Sequence, residues 1–170
     1  VLAASPARDP RVEIVTDMGT IVVQLAPSRA PRTVENFLRY VREGHYAGTV
    51  FHRVIQGFMI QGGGFTAEMQ QKPMHDPIPL EARGGLPNDR YTIAMARTSY
   101  PHSATSQFFI NVADNGFLNA SQAADGQGYC VFGRVVKGQD DKIAEVRTGV
   151  KAGMRDVPVK PVTIVSARML

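Results

Sequence analysis

Eight short runs rich in β-branched and aromatic residues, separated by turn-forming residues, constrain this chain more than any other feature. So many strands beside so little helix leave few ways to bury a core. The runs cover residues 11–16, 20–25, 50–55, 58–61, 92–96, 107–112, 128–135 and 162–168. Asp17-Met18-Gly19 joins the first two as a tight hairpin. Between 31 and 43, apolar Val34, Phe37, Leu38 and Val41 recur at i, i+3, i+4 and i+7, with Pro31 suited to a first helical turn and Gly44 to the stop. A weaker helical pattern spans 138–147, with Asp140 and Asp141 near its positive end. The expectation is an all-β fold with two helices: an antiparallel sheet that closes on itself, since closure removes exposed edges. The stretch 66–90 has no periodicity and carries Pro73, Pro77, Pro79 and Pro87, so it is expected to be a functional loop or one packed against the body.

A chain of 170 residues is one domain's length and buries about 70% of the surface it would expose unfolded. No apolar run reaches the roughly 18 residues of a membrane helix, so no membrane association is expected. The 19 basic residues are interspersed with 15 acidic ones and form no stripe with interleaved aromatics, so no nucleic-acid partner is expected. Cys130 is the only cysteine, which excludes an internal disulfide; its setting, Tyr129-Cys130-Val131-Phe132, predicts a buried, unreactive thiol in a strand. Residues 1–10 are small, Ala-rich and Pro-punctuated, a lead-in that suits a mature N-terminus after signal removal or an artificial boundary. Periplasmic location is the expectation, with cytoplasm as the alternative.

The residues that can carry chemistry are few. His45, His52, His75 and His102 show no paired ligand spacing, and a single cysteine completes no thiolate site, so no metal is expected. Gly62-Gly63-Gly64 leads into no helix and reads as a close approach of chains, not a phosphate cradle. Ser103 and Ser106 lack the GxSxG frame of a hydrolase nucleophile. In 50–55, strand alternation sets Phe51, Arg53 and Ile55 on one face and His52 and Val54 on the other. That places an arginine between large apolar groups, either snorkelling to water or serving a site.

Three words decide between those readings: Phe51-His52-Arg53-Val54-Ile55-Gln56-Gly57-Phe58-Met59-Ile60-Gln61-Gly62-Gly63, Ser106-Gln107-Phe108-Phe109-Ile110, and Val131-Phe132-Gly133-Arg134-Val135. They resemble the cyclophilin signature, and the resemblance runs from about Val12 to Ala167, leaning to the bacterial branch. It implies a closed eight-stranded antiparallel barrel capped by two α-helices over residues 11–170. It also implies peptidyl-prolyl cis-trans isomerase activity without a cofactor, in a monomer, on Xaa-Pro-containing peptides and unfolded proteins. By correspondence Arg53 is the catalytic arginine. Phe58, Met59, Phe109 and Leu118 line the proline pocket, and Gln61 bonds the substrate backbone and supports Arg53. Gln107, Ala96 and Arg97 hold the flanking peptide. Three positions depart from many eukaryotic members: Phe117 replaces a tryptophan that contacts cyclosporin, Tyr129 a histidine beside the pocket, and Arg97 a small polar residue. Weak cyclosporin binding is the resulting expectation.

Overall fold

The first hairpin forms where the β-rich runs predict it: β1 (Arg11–Thr16) pairs with β2 (Gly19–Leu25) from Thr16↔Gly19 to Arg11↔Gln24. The computed structural model describes residues 10–27, 30–66, 68, 70–72, 75–79, 87–97, 102–119, 128–138, 143–151 and 154–169. Within them follow α1 (Pro31–Arg42), β3 (Arg53–Ile55), β4 (Met59–Gly62), β5 (Thr92–Met95), β6 (Phe108–Asn111), β7 (Val131–Lys137), β8 (Thr148–Lys151), β9 (Met154–Pro158) and β10 (Ile164–Met169). Eight of the strands make one antiparallel sheet in the order β10-β1-β2-β7-β5-β6-β4-β3.

The pleat sorts this sheet into two faces. Cross-strand partners share a face, and the row Val54, Ile60, Ile110, Ile93, Gly133 and Leu25 runs through five successive pairings. Its five side chains, one from every residue but Gly133, are buried in the main core. α1 lies against that inner face. Pro31 stands at the helix start and two arginines stand in its last turn, where the carbonyl ends favour cations. Its Phe37 ring meets Phe108 edge-on at 5.7 Å and Phe132 at 5.1 Å. Among the described residues, packed aromatics therefore fill the space between α1 and the sheet.

The described residues bear out two expectations only in part and add one hairpin. The paired ladder is a curled sheet with β10 and β3 at its edges, not a demonstrated closed barrel. Residues 48–51 and 162–164 link the edges, through a Val50↔Thr163 bridge and the bonds Phe51 N–H to Val162 O (3.0 Å), Ile164 N–H to Thr49 O (2.7 Å) and Gly48 N–H to Ile164 O (2.8 Å). One α-helix is present among the described residues; of the pattern at 138–147, residues 139–142 lie outside them, and only Ile143 and Ala144 are seen in a helical turn. The β8–β9 hairpin was not anticipated, because Gly149, Lys151, Arg155, Asp156 and Pro158 give it little β-propensity, and Asp156 takes a positive φ of 60°. The described part of 66–90 is packed on the body: Lys72 Nζ donates to His45 O (2.6 Å) and His75 N–H to Tyr40 Oη (2.9 Å).

Candidate active site

Register builds the site. β3 sets Arg53 opposite Gln61, β4 sets Gln61 opposite Phe109, and β6 sets Phe109 opposite Ala94. These four residues therefore form a row across the outer face of the sheet, the face away from the core. A second row, two residues along, carries Ile55, Met59 and Asn111. On this outer face Met59, Ala94, Ala96, Phe109 and Val131 make a small apolar cluster of their own, flanked by Ile55, Phe58, Leu118 and Tyr129. An apolar cluster on a solvent-side face with a charged residue at its margin suits a binding surface.

The pocket on this cluster is lined by Arg53, Phe58, Met59, Gln61, Ala96, Arg97, Phe109, Leu118 and Tyr129 and encloses about 110 Å³. That is far less than the several hundred Å³ typical of sites for drug-sized ligands, and suits one small ring. Phe109 is the floor, only 4% exposed, with the Tyr129 ring standing edge-on to it at 5.6 Å. Arg97 braces Tyr129 from outside: its Nε and Nη2 donate to Gly128 O at 3.0 and 2.6 Å, and its guanidinium lies 4.5 Å from the Tyr129 ring centre. Gln61 Nε2 donates to Gln107 Oε1 (3.0 Å). Gln107 lines an adjoining groove with Gln71, Ser103 and Thr105, and that groove shares Gln61, Ala96 and Arg97 with the pocket.

The glycine run explains how β4 leaves the site without obstructing it. A Cβ on Gly62 would stand 2.8 Å from Val50 O; one on Gly63, at φ +93°, would stand 2.8 Å from the Tyr46 ring; and one on Gly64 would run into the Gln107 side chain. Close chain approach is thus the role of the run.

The structure gathers nine of the predicted residues around one pocket and sets Gln107 beside it. Phe117 belongs to a 3-10 turn, Gly116–Leu118, but its side chain lies outside the described part of the structure. Phe51 is corrected: β3 begins only at Arg53, so no pleat carries Phe51 to the outer face, and it is buried edge-on to Phe108 at 6.0 Å. Cys130 is buried as expected, but it precedes β7 and sits 3.5 Å from Thr33 Oγ1. Ser106 is fully buried, out of reach of any substrate. Sequence reasoning missed Asn88, Asn111 and Asn115, which are buried behind the pocket. The one available signal was Asn111, a polar residue inside the apolar word Phe-Phe-Ile-Asn-Val.

This chain, with a ring-sized pocket and an arginine at its rim, is matched over residues 11–169 by the family model for cyclophilin type peptidyl-prolyl cis-trans isomerases. An isomerase of that name from Streptomyces antibioticus is 62% identical over 162 residues, covering 94% of this chain and 98% of its own. Isomerase B of Escherichia coli is 56% identical over 154 residues, covering 89% and 94%. A crystal structure of a Cryptosporidium parvum cyclophilin superposes with a TM-score of 0.72 at 26% identity, over 95% of this chain and 98% of that one. The same protein has been crystallised in the presence of the dipeptide Ala-Pro. The chain belongs to the cyclophilin-type peptidyl-prolyl cis-trans isomerases. It is an enzyme that accelerates rotation about Xaa-Pro peptide bonds.

Proposed function

We propose that Arg53 supplies the catalytic donor and that the Phe58, Met59, Phe109 and Leu118 pocket holds the prolyl ring. The observation that carries this reading is the register row Arg53, Gln61, Phe109, which sets a guanidinium-bearing residue, a hydrogen-bonding amide and an apolar floor side by side. Rotation about a peptide bond faces a barrier of ~18–20 kcal/mol because planarity preserves amide resonance. At the 90° twist that resonance is gone and the prolyl nitrogen carries a localised lone pair. A donor aimed at this nitrogen binds the twisted state better than the planar one, which is the condition for catalysis. Arginine serves because it keeps its proton at any working pH and offers several donors on a planar fork. No proton is transferred and no cofactor enters.

One positioned donor typically contributes ~3–4 kcal/mol, whereas an acceleration on the order of 10⁵ needs about 7 kcal/mol. The pocket is assigned the remainder: it clamps the ring while the carbonyl side turns, and it removes water that stabilises the planar amide. Gln61, held by Gln107, bonds the substrate backbone; Ala96, Arg97 and Gln107 hold the flanking peptide, and Tyr129 walls the pocket. In this reading the contacts between 48–51 and 162–164 complete a closed barrel, and the enzyme works as a periplasmic monomer that assists unfolded clients.

Phe109→Ala tests the pocket. Turnover and binding of an Ala-Pro peptide, followed by exchange NMR, are expected to weaken together, because the lost ring meets both planar and twisted prolines. Normal kinetics in this variant would remove Phe109 from the site.

A further inference from the structure

Behind the pocket lies a chain of buried amides. Asn111 ends β6 on the same outer face as Phe109 and opposite Met59, yet it is fully buried. Its Nδ2 donates to Asn88 Oδ1 (3.1 Å) and to Thr92 Oγ1 (2.9 Å), and its Oδ1 accepts from Asn115 Nδ2 (2.8 Å). Asn88 donates through its backbone N–H and its Nδ2 to Asn119 Oδ1, at 2.6 and 3.0 Å. The backbone closes the circuit, with Asn115 N–H donating to Asn88 O at 2.8 Å.

The outward bonds of this network end on the pocket walls. Asn115 Nδ2 donates to the carbonyl of Phe58 at 2.9 Å. Asn88 Nδ2 reaches the carbonyl of Tyr129 at 3.3 Å. Leu118 N–H donates to Asn115 O at 2.9 Å, and Tyr129 N–H donates in turn to Leu118 O at 2.8 Å. Phe58, Leu118 and Tyr129 come from three separate segments, none of them within a β-strand. Phe58 O also accepts from Val112 N–H (3.1 Å) just past the β4–β6 ladder, but among the described residues no ladder bond ties Phe58 to Leu118 or Tyr129. Buried amides that satisfy one another leave few alternative arrangements, because each broken bond strands a polar group away from water. Arg53 stands outside the circuit, on β3.

We propose that Asn88, Asn111 and Asn115, with Asn119 anchoring Asn88, are positioning residues that set the width of the proline pocket by tying the backbones of its three loop-borne walls together. The inference rests on the assignment of this pocket to the prolyl ring. The network touches neither the donor nor the apolar floor that excludes water; it sets only the spacing of the walls, whose grip on the ring is shared by planar and twisted states, so loosening it raises KM while kcat, set by the donor and the dry floor, holds. A network with only a structural role would lower stability and leave both constants of the folded enzyme unchanged.

The test compares Asn115→Ala and the milder Asn119→Ala with Thr16→Val. The last removes a buried hydroxyl that bonds Gly19 O and Met18 N–H in the distant β1–β2 hairpin. Steady-state kinetics on an Ala-Pro peptide are measured where circular dichroism shows each variant folded. The expected result is a KM raised at least fivefold in both asparagine variants, with kcat within twofold, and no change in Thr16→Val. If Asn115→Ala does not fold, Asn119→Ala decides alone. Unchanged KM in the folded asparagine variants, a loss confined to kcat, or an equal KM rise in Thr16→Val overturns the inference. Phe109→Ala, run alongside, separates the two levels: impaired Phe109→Ala with normal asparagine variants refutes only the network's role, whereas normal Phe109→Ala refutes the pocket assignment itself.

Discussion

His52 stands next to Arg53 and packs the other way, its ring 4.6 Å from that of Phe65 and its Nδ1 without a hydrogen-bond partner among the described residues. Burial, with the Arg53 charge as a smaller cause, pushes its pKa down to about 4. The unfolded chain titrates this group near 6.5, so between about 4 and 6.5 the unfolded state binds more protons. The stability it contributes is complete above about 6.5 and is lost as pH falls towards 4. Over that window the loss is about 3 kcal/mol. Urea unfolding of the wild type and of His52→Gln at pH 7.5 and 4.5 checks this: the wild type should lose more stability, by about 2 kcal/mol. Equal losses would show that His52 is not the titrating group. Phe117 carries a second residue-scale prediction. An indole offers a ring N–H and more apolar area than a phenyl group. The wild type should therefore bind cyclosporin weakly, and Phe117→Trp should tighten binding tenfold or more with little change in turnover. Calorimetric titration of both proteins decides it, and equal affinities would mean that Phe117 is not the drug-contacting position.

Strands transmit the site through their register, and β7 shows how little tolerance that leaves. Gly133 pairs with Leu25 on one side and Ile93 on the other, and a Cβ there would stand 2.5 Å from the backbone oxygen of Gln24. Backbone atoms in a ladder cannot yield as a side-chain end can. Gly133→Ala should destabilise the fold by about 2–3 kcal/mol, read from the urea midpoint at an unchanged slope. An unchanged midpoint would contradict the close approach of β2 and β7. That Arg53 and Ile55 share a face was legible from alternation, because β3 pleats regularly from Arg53 on. The inward turn of Phe51 was not, since nothing in a run of apolar residues marks where pairing starts. The β8–β9 hairpin was equally illegible: its residues show no period of two, and it pairs only with itself among the described strands.

Across the whole molecule, the sheet separates stability from chemistry by face. The inner row Val54, Ile60, Ile110 and Ile93 belongs to the main core, while Arg53, Gln61 and Phe109 alternate with it on the outside. The pocket residues were legible because the words around Arg53, Phe109 and Val131 resemble a known family signature. The amide network behind them was not. Its members are dispersed from Asn88 to Asn119, and an asparagine at a strand end or in a loop reads as a solvent-facing turn residue until its burial is known. Because Arg53 is exposed on the outer face, its removal should cost the fold little. The most direct measurement is therefore exchange NMR on an Ala-Pro peptide with wild type, Arg53→Ala and Arg53→Lys, alongside thermal unfolding of each. The account predicts that Arg53→Ala isomerises at least about a hundredfold more slowly, consistent with the loss of one positioned donor, while its stability stays within about 1 kcal/mol. Arg53→Lys should recover little, since a flexible ammonium does not reproduce the fork. Wild-type turnover in a folded Arg53→Ala enzyme would contradict the account.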